Sequence, residues 1–296
     1  MVRVRANRFR ALGAVLGLSL AAAGCSPKPH IIVGSKNTTE SAILGEIAAQ
    51  QIERRLGLRV ERRLKLGGTL MAYQAVREAQ IDLYPEYLGT AYMALLHHAS
   101  FEPADAMTNE VRSEFATLQQ LRWMETLGFE NRFAMVVLKE KAAAEHVETM
   151  SEAMKQPGWK LGCGFEFLER PDGFRAFLAA YPDMQFTAAP VSMELAALYP
   201  ALRNGDVNLV SGSTTDTSIS DPDLVVLKDD KNAFPPNPAS YVVRFDTLRR
   251  VADLEMALAA LSDKISGDAM RKMNTEVDVK HRTPAQVATE FLKTIP

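Results

Sequence analysis

Short apolar runs alternate with amphipathic segments over most of the chain. The run at 31–33 predicts a strand, and apolar residues at helical spacing over 42–56, ended by Gly57, predict a helix. The same alternation predicts strands over 60–64 and 81–85 and a helix over 69–76. A β-α-β-α order is typical of a parallel sheet covered by helices, so the chain belongs to the α/β class.

Two local features refine the start of this pattern. Asn37 and Glu40 have the three-residue spacing of a capping box, so we expect the loop over 35–39 to lie above the first helix with free backbone N–H groups. The strand over 81–85 runs directly into a loop that contains Tyr87 and Thr90. Loops at the carboxyl ends of parallel strands are where α/β folds bind ligands.

A second α/β unit follows the first. Strands are predicted over 133–138, 159–162 and 207–210, and helices over 173–180 and 195–202. A strand over 241–245 and helices over 252–261 and 284–292 are expected to pack on the first unit. We therefore predict two lobes, with 31–132 plus 238–296 as lobe 1 and 133–237 inserted as lobe 2, because the chain is longer than one hydrophobic core usually supports.

The first 30 residues have the layout of an export signal. Four arginines and no acidic residue lie within the first ten positions, followed by an apolar run over 11–23, Gly24 and Cys25. The run has 13 residues, fewer than the roughly 20 that a helix needs to cross a bilayer. We predict a lipoprotein signal peptide over 1–24, lipidation at Cys25 and a tether over 25–30. An ordinary signal peptide with a chance cysteine is the alternative.

Removal of the signal peptide and acylation of Cys25 would change the net charge of the chain and the number of free cysteines. Loss of 1–24 removes four arginines, so the net charge changes from 34 − 36 = −2 to 30 − 36 = −6. An exported, mildly acidic chain has no basic face for nucleic acid. With Cys25 acylated, Cys163 is alone and no disulfide is expected. The predicted location is extracytoplasmic, in the periplasm or at the cell surface, with a lipid anchor in the membrane.

The sequence contains no recognisable catalytic constellation. His97 and His98 are adjacent and the other three histidines are scattered, so ligand spacing for zinc is missing. Neither a nucleophile elbow nor a Walker phosphate loop occurs, and Asp229-Asp230-Lys231 is typical of a solvated turn. We expect no catalytic residue, no cofactor and no metal site, and we predict that the protein is not an enzyme.

Three hydrogen-bond donors lie on loops of different units. Lys36 precedes the first helix, Thr90 follows a strand, and Arg170 lies within the segment 165–173. Together they could converge on one carboxylate, because a guanidinium fork and a helix N-terminus both suit a planar anion. Taken singly, each is better explained as a surface ion pair or a capping residue.

Several longer motifs point to a known family. They are GSKNTTE at 34–40 with ILGE at 43–46, LGGT at 66–69, IDLYPEYLGT at 81–90, FLERPDG at 167–173, Thr-Asp at 215–216, DDK at 229–231 and FPP at 234–236. In these segments the chain resembles the glycine betaine, carnitine and choline (osmoprotectant) substrate-binding proteins of ABC transporters, the OpuAC or ProX-like group. The resemblance extends from residue 31 to the C-terminus.

The resemblance implies a type 2 periplasmic-binding-protein fold: two α/β lobes, a hinge, and a ligand cleft that closes by hinge motion. It implies a small zwitterionic osmolyte as ligand, delivered to an ABC permease with its ATPase, and a monomer as the simplest state. Lys36 and Thr90 would then hold the ligand carboxylate from lobe 1 and Arg170 from lobe 2. A ligand that contacts both lobes can drive closure through its differential affinity.

The family also implies an aromatic box around the quaternary ammonium. Tyr87 and Phe133 match two box positions, whereas Ser213 and Asn237 stand where aromatic residues are usual. Tyr199, Tyr241 or Phe165 could replace the missing rings, or they could be core residues. Alternatively, Ser213 and Asn237 hydrogen-bond a ligand with donors, such as an amino acid or a larger betaine with a polar ring.

Three classes of function therefore stand at this point. The leading one is a transport binding protein, either for a betaine-like osmolyte or for a shifted ligand that carries a carboxylate. A second is an enzyme on a similar fold, for which Asp82 or Asp216 beside a threonine would be the best candidates. A third is a sensor that binds the same ligand and signals to a membrane protein.

Overall fold

The structure is a computed structural model and describes residues 30–295. No helix in this range combines the length and the apolar character that crossing a membrane requires. The predicted signal peptide over 1–24 and the predicted lipidation site Cys25 lie outside the described residues, and both stay predictions.

In the described range, ten strands form two sheets. They are β1 (Ile31–Gly34), β2 (Val60–Arg63), β3 (Leu83–Tyr87), β4 (Leu121–Glu130), β5 (Phe133–Leu138), β6 (Leu161–Cys163), β7 (Val191–Ser192), β8 (Leu209–Ser213), β9 (Leu224–Leu227) and β10 (Pro238–Arg244). The first sheet has the order β2-β1-β3-β10-β4 and the second β7-β6-β8-β5-β9. We call the half of the molecule built on the first sheet lobe 1 and the other half lobe 2.

The two sheets are built alike. In lobe 1, β1 is parallel to β2 and β3, while β10 is antiparallel to β3 and β4. In lobe 2, β6 is parallel to β7 and β8, while β5 is antiparallel to β8 and β9. The mixed sheets follow from the connections: strands joined by a helix run parallel, whereas β5 and β10 enter their sheets directly from the other lobe.

Thirteen α-helices surround the sheets in residues 30–295. They are α1 (Thr39–Leu56), α2 (Thr69–Arg77), α3 (Leu88–Thr90), α4 (Ala104–Gln119), α5 (Lys139–Glu145), α6 (Met150–Ala153), α7 (Phe165–Glu169), α8 (Ala176–Ala180), α9 (Leu198–Asn204), α10 (Phe245–Arg250), α11 (Leu254–Ala259), α12 (Gly267–Asp278) and α13 (Pro284–Leu292). Two π-helical turns, Ala91–Leu95 and Pro171–Arg175, extend α3 and precede α8.

Each sheet is packed on both faces. In lobe 1, Ile43 and Ile47 of α1 belong to a core shared with α11, α12 and α13, and Phe115 and Trp123 belong to the core on the other face. Lobe 2 has a phenylalanine-rich core around Phe167, Phe177 and Phe234 and a smaller one around Leu202. Two separate sets of cores allow each lobe to move as a body, because few apolar contacts must break between them.

Within residues 30–295, only two segments of chain join the lobes. Residues 131–132 connect β4 to β5, and residues 228–237 connect β9 to β10. The exact lobe boundaries that the sequence predicts, at 132/133 and 237/238, stay predictions.

The start of α1 differs from the prediction. Its N-cap is Thr38, whose side chain accepts a hydrogen bond of 3.2 Å from Ser41 N. Glu40 instead points its carboxylate away from the helix end, so the predicted capping box of Asn37 and Glu40 is wrong. Two N–H groups of the preceding loop are not free, because Lys36 N donates to Ser41 Oγ at 2.9 Å and Asn37 N donates to Gly67 O at 2.8 Å.

Candidate ligand-binding site

A cleft of about 2370 Å³ separates the two lobes. All seven residues predicted to bind ligand line it: Lys36, Tyr87, Thr90, Phe133, Arg170, Ser213 and Asn237. Loop ends from both sheets meet here, because the carboxyl ends of β1, β3, β6 and β8 face the gap between the lobes. The cleft is larger than the roughly 300–1,000 Å³ usual for small-molecule pockets.

Arg170 connects lobe 2 to lobe 1. Its Nη2 donates to Thr90 Oγ1 at 2.7 Å, and its guanidinium forms a two-pronged ion pair with the buried Asp172, in which Nε is 2.9 Å from Oδ1. Burial disfavours the guanidinium charge, but the neighbouring Asp172 carboxylate outweighs this effect and the pKa of Arg170 is raised. Arg170 is thus a fixed cation whose position is set before any ligand arrives.

Lys36 lies opposite, in lobe 1. Its ammonium pairs with Glu86, which is fully buried, and is 3.4 Å from Thr69 Oγ1. The ammonium also lies 5.1 Å from the centre of the Tyr87 ring. Both cations of the predicted clamp therefore have a carboxylate partner in the protein. A ligand carboxylate would therefore be an additional acceptor for two cations that are already paired, and not the partner of two unpaired cations.

Glu166 is one of the cleft residues that the sequence did not single out. Glu166 of lobe 2 accepts hydrogen bonds from Thr69 N at 3.1 Å and from Thr69 Oγ1 at 2.7 Å, at the N-terminus of α2. Its Oε2 is 3.6 Å from Arg170 Nη1. Burial would raise the pKa of Glu166, but the Thr69 hydrogen bonds and the charges of Arg170 and Lys36 bring it below its usual value.

A glycine makes this contact possible. Gly68 is the N-cap of α2 and offers no side chain to the helix end. A Cβ at Gly68 would lie 2.3 Å from Glu166 Oε1, so any larger residue would exclude the carboxylate. In the sequence, the Gly67-Gly68-Thr69 motif indicates a helix N-terminus that is open to an acceptor. The sequence does not show which acidic residue binds there. We call the Glu166–Thr69 contact the Glu166 bridge.

The two predicted aromatic-box residues already hold cations of the protein. The Lys36 ammonium lies over Tyr87, and the Arg170 guanidinium carbon lies 5.0 Å from the centre of the Phe133 ring. Tyr87 OH donates to Glu40 Oε1 at 2.5 Å, and burial beside Glu40 raises the pKa of Tyr87. Phe133 also packs edge-on against Phe167, with centroids 5.0 Å apart.

Ser213 and Asn237 form hydrogen bonds within the protein. Asn237 Oδ1 accepts from Thr90 N at 3.1 Å, and its Nδ2 donates to Asn131 O at 2.6 Å. Ser213 Oγ donates to Asn131 Oδ1 at 2.5 Å, across the connection between the lobes. In this arrangement the amide of Asn237 fixes Thr90, the residue to which Arg170 donates.

The three alternative aromatic residues occupy different places. Tyr241 is buried in lobe 1, where its OH donates to Leu44 O at 2.8 Å, and it does not line the cleft. Tyr199 lines the cleft and donates to Asp216 Oδ2 at 2.7 Å. Phe165 lies at the cleft with 66% of its surface exposed. Of the three, Phe165 has the freedom to turn towards a ligand.

The candidate enzymatic acids have structural partners. Asp82 accepts a hydrogen bond from Ile32 N at 2.7 Å and pairs with Arg250 on the outer side of lobe 1. Asp216 accepts hydrogen bonds from Tyr199 OH and Ser213 N. Neither contacts a histidine or lysine among residues 30–295, so an acid–base pair of the kind that hydrolysis requires is not formed by them.

Comparison with known proteins agrees with this architecture. The family model described as the substrate-binding domain of ABC-type glycine betaine transport systems matches residues 29–294. The carnitine transport binding protein OpuCC of Listeria monocytogenes is 32% identical over 278 residues, covering 93% of this chain and 90% of that protein. A glycine-betaine-binding protein of Pseudomonas aeruginosa is 30% identical, with the same two coverages.

A third relative and one solved structure extend the comparison. An ergothioneine transport permease/ergothioneine binding protein, EgtU of Helicobacter pylori, is 31% identical over 89% of this chain and 47% of that protein. The crystal structure of a glycine betaine/carnitine/choline ABC transporter protein superposes with a TM-score of 0.74 and 29% identity, covering 89% of this chain and 98% of that one. Its fold is the type 2 periplasmic-binding-protein fold.

Proteins of this family bind solutes outside the cytoplasm so that a transporter can take them up, and they are not enzymes. The family model covers nearly all of the described chain, and two relatives with at least 30% identity match over more than nine-tenths of it. The chain therefore belongs to the family of substrate-binding proteins of ABC-type glycine betaine importers.

Proposed function

We propose that the protein captures a small zwitterion related to glycine betaine and delivers it to an ABC permease. The observation that carries this proposal is the hydrogen bond of 2.7 Å from Arg170 of lobe 2 to Thr90 of lobe 1. Lys36 lines the cleft from lobe 1, as Thr90 does. A carboxylate placed among these three side chains would contact both lobes and so favour the closed state.

The other half of the site supports a ligand that differs from glycine betaine. Tyr87 and Phe133 offer ring faces, but each is already approached by a protein cation, and Ser213 and Asn237 add polar atoms where rings are usual. A cation–π contact with the ligand would have to share these rings. A longer zwitterion with a polar group, or an amino acid, is the second candidate, and the relative that binds ergothioneine supports it.

A sensory role is the other alternative. CosB of Halobacterium salinarum, a chemotactic signal transduction system substrate-binding protein, is 25% identical over 69% of this chain. The same binding event could therefore report to a membrane receptor. We further propose that Cys25 carries a lipid that keeps the protein at the membrane and that the protein acts as a monomer.

Calorimetric titration of residues 26–296 with glycine betaine, carnitine, choline, ergothioneine and a panel of amino acids tests the ligand. We expect binding of a zwitterion and much weaker binding of choline, which lacks a carboxylate. Equal affinities for choline and glycine betaine would contradict a carboxylate clamp. Binding of an amino acid alone would assign the protein to the second ligand class.

Arg170→Ala tests the clamp itself. The substitution removes a charge-assisted donor from a mostly enclosed site, so we expect a loss of about 2–5 kcal/mol in binding free energy. Arg249→Ala, an exposed arginine on the outer side of lobe 1, is the matched control and should bind as the wild type does. An unchanged affinity in Arg170→Ala would remove the clamp from the mechanism.

A further inference from the structure

A histidine and two glutamates meet on the surface of lobe 1. The imidazole of His98 and the carboxylates of Glu110 and Glu114 each offer one ligand atom, and these three atoms lie within 4.8 Å of one another. His98 Nε2 is 2.8 Å from Glu114 Oε1. Glu110 and Glu114 are one turn apart on α4, so both carboxylates project from the same face of the helix.

A buried tyrosine holds two members of this group in place. The rings of Tyr92 and His98 are stacked, with centroids 3.9 Å apart and an angle of 8° between their planes. Tyr92 OH donates to Glu110 Oε2 at 2.7 Å, and His98 N donates to Tyr92 O at 3.2 Å. Metal sites in proteins are commonly supported in this way, because a hydrogen bond or contact behind each ligand fixes its orientation.

The group carries negative charge that the neighbouring residues do not balance. Among the ion pairs of residues 30–295, Glu110 has no lysine or arginine partner and Glu114 pairs with His98 alone. A cation bound between the carboxylates would offset this negative charge.

We propose that His98, Glu110 and Glu114 bind a divalent transition-metal ion of the zinc type. One imidazole nitrogen and two carboxylate oxygens are ligands that Zn²⁺ accepts, at about 2.0–2.2 Å each, with water as the fourth ligand. In a tetrahedral site the ligand atoms are about 3.4 Å apart, so shifts of roughly 1 Å in three partly exposed side chains complete the geometry.

The position of the site determines its effect. All three ligands belong to lobe 1, and His98 lies at the rim of the cleft, after the π-helical turn that follows Thr90. The metal would tie the segment 96–103 to α4 without linking the lobes. Its affinity should therefore not depend on ligand binding in the cleft, which separates this proposal from the proposed function.

The sequence alone predicts surface histidines here. His97 and His98 are adjacent, and the glutamates lie on a helix that the apolar pattern did not predict. Their approach to His98 depends on the packing of α4 against the segment after β3, which is a tertiary contact. The expectation of no metal site is therefore replaced by this proposal.

Titration of residues 26–296, which contain both lobes, with Zn²⁺ tests the site. We expect one ion per chain, and with Co²⁺ an absorption band between roughly 500 and 650 nm of the kind that four-coordinate cobalt shows with N and O ligands. His98→Asn and Glu110→Gln should each weaken Zn²⁺ binding about tenfold or more. His97→Asn, the exposed neighbour, is the control and should bind Zn²⁺ as the wild type does.

Tyr92→Phe separates a metal site from a simple ion pair. It keeps the ring that stacks on His98 but removes the hydrogen bond to Glu110, so we expect about tenfold weaker Zn²⁺ binding in a protein that still binds its cleft ligand. Three results would overturn the proposal: no Zn²⁺ binding to the wild type, full binding by His98→Asn, or loss of binding in His97→Asn.

Discussion

Asp216 is a carboxyl group whose ionisation the fold opposes. Burial raises its pKa from 3.8 to about 6, the hydrogen bonds from Tyr199 OH and Ser213 N act in the opposite direction, and the charges of Glu40 and Asp278 add to the rise. A proton is therefore bound more tightly in the folded state than in the unfolded chain. The resulting stabilisation is present at pH below about 4 and is lost as the pH rises through about 6.

Asp216→Asn should remove this pH dependence. The amide oxygen can accept the two hydrogen bonds that Oδ2 now accepts, and it carries no charge. We expect the variant to gain stability over the wild type as the pH rises from about 4 to about 7, by at most about 3 kcal/mol. Urea unfolding at several pH values measures the difference, and the exposed Asp223→Asn is the control. Parallel curves for wild type and Asp216→Asn would contradict the assignment.

Glu40 is a buried carboxylate held by neutral donors. It accepts hydrogen bonds from Tyr87 OH, from Asn131 Nδ2 at 2.8 Å and from Asn274 Nδ2 at 3.0 Å. Because the acceptor is charged, each of these bonds should contribute more than a neutral bond of similar length.

Tyr87→Phe compared with Tyr241→Phe measures that difference. Both variants remove one hydroxyl from a buried ring, but Tyr87 donates to a carboxylate and Tyr241 to the carbonyl of Leu44. We expect a loss of about 1.5–3 kcal/mol in the free energy of unfolding for Tyr87→Phe and about 0.5–1.5 kcal/mol for Tyr241→Phe. If Tyr241→Phe is the more damaging, Glu40 does not depend on this bond.

The turn between α7 and α8 places Arg170. The chain leaves α7, passes through Arg170 and enters the π-helical turn Pro171–Arg175, in which Gly173 has φ −100° and ψ −124°. A Cβ at Gly173 would lie 2.2 Å from Phe167 O, a backbone atom that cannot move aside without shifting α7. The glycine thus allows Arg170 and Asp172 to reach each other.

Gly173→Ala should therefore damage both stability and binding. We expect the free energy of unfolding to fall by about 1–3 kcal/mol from the overlap, and ligand affinity to fall because Arg170 is displaced. Gly267→Ala is the control, since a Cβ there meets nothing nearer than 3.6 Å and lies at the first residue of α12. Thermal unfolding and calorimetry give the two readouts. Normal affinity in a destabilised Gly173→Ala would mean that the turn does not position Arg170.

Polar contacts hold the two lobes together. The Glu166 bridge joins α2 to α7, Arg170 reaches Thr90, and α12 contacts lobe 2 through Asn274 Nδ2 and Thr215 O at 3.0 Å. The Glu166 bridge needs no ligand. It should give the unliganded protein a bias towards closure.

Glu166→Ala should shift the unliganded protein towards the open form. Loss of hydrogen bonds to a charged group costs about 1–3 kcal/mol, so the ratio of open to closed molecules should rise about fivefold or more. Small-angle X-ray scattering would show a larger radius of gyration. Glu169→Ala, an exposed residue at the end of the same helix, is the control. Identical scattering for wild type and Glu166→Ala would mean that the bridge does not influence closure.

The apolar pattern predicted the elements whose buried faces are wide. It found α1, which is buried along most of its length, and strands β1, β3, β5 and β10. It did not find α12, whose buried residues are only Met270, Met273 and Asn274, nor β4, in which Gly128 at φ +106° interrupts the alternation. Narrow apolar faces and irregular strands depend on tertiary packing, which periodicity does not record.

The candidate site was also predicted only in part. Resemblance to the family singled out seven residues that line one cleft, and four of them, Lys36, Tyr87, Thr90 and Arg170, lie within the recognisable motifs. The partners of those residues were not predictable: Glu86 with Lys36, Glu166 with Thr69, and Glu40 with Tyr87 are separated by 50, 97 and 47 positions. Such pairings depend on how the lobes and loops pack. They determine how much of the charge in the cleft is already neutralised before a ligand binds.

The contacts that join the lobes have a consequence for the heat of closure. They are hydrogen bonds and ion pairs, while the large apolar side chains at the cleft rim, Leu70, Met71, Phe165 and Leu195, remain more than half exposed. Closure of this kind removes little apolar surface from water. Ligand binding should then release heat with only a small change in heat capacity, so its enthalpy should vary little between cold and warm solutions.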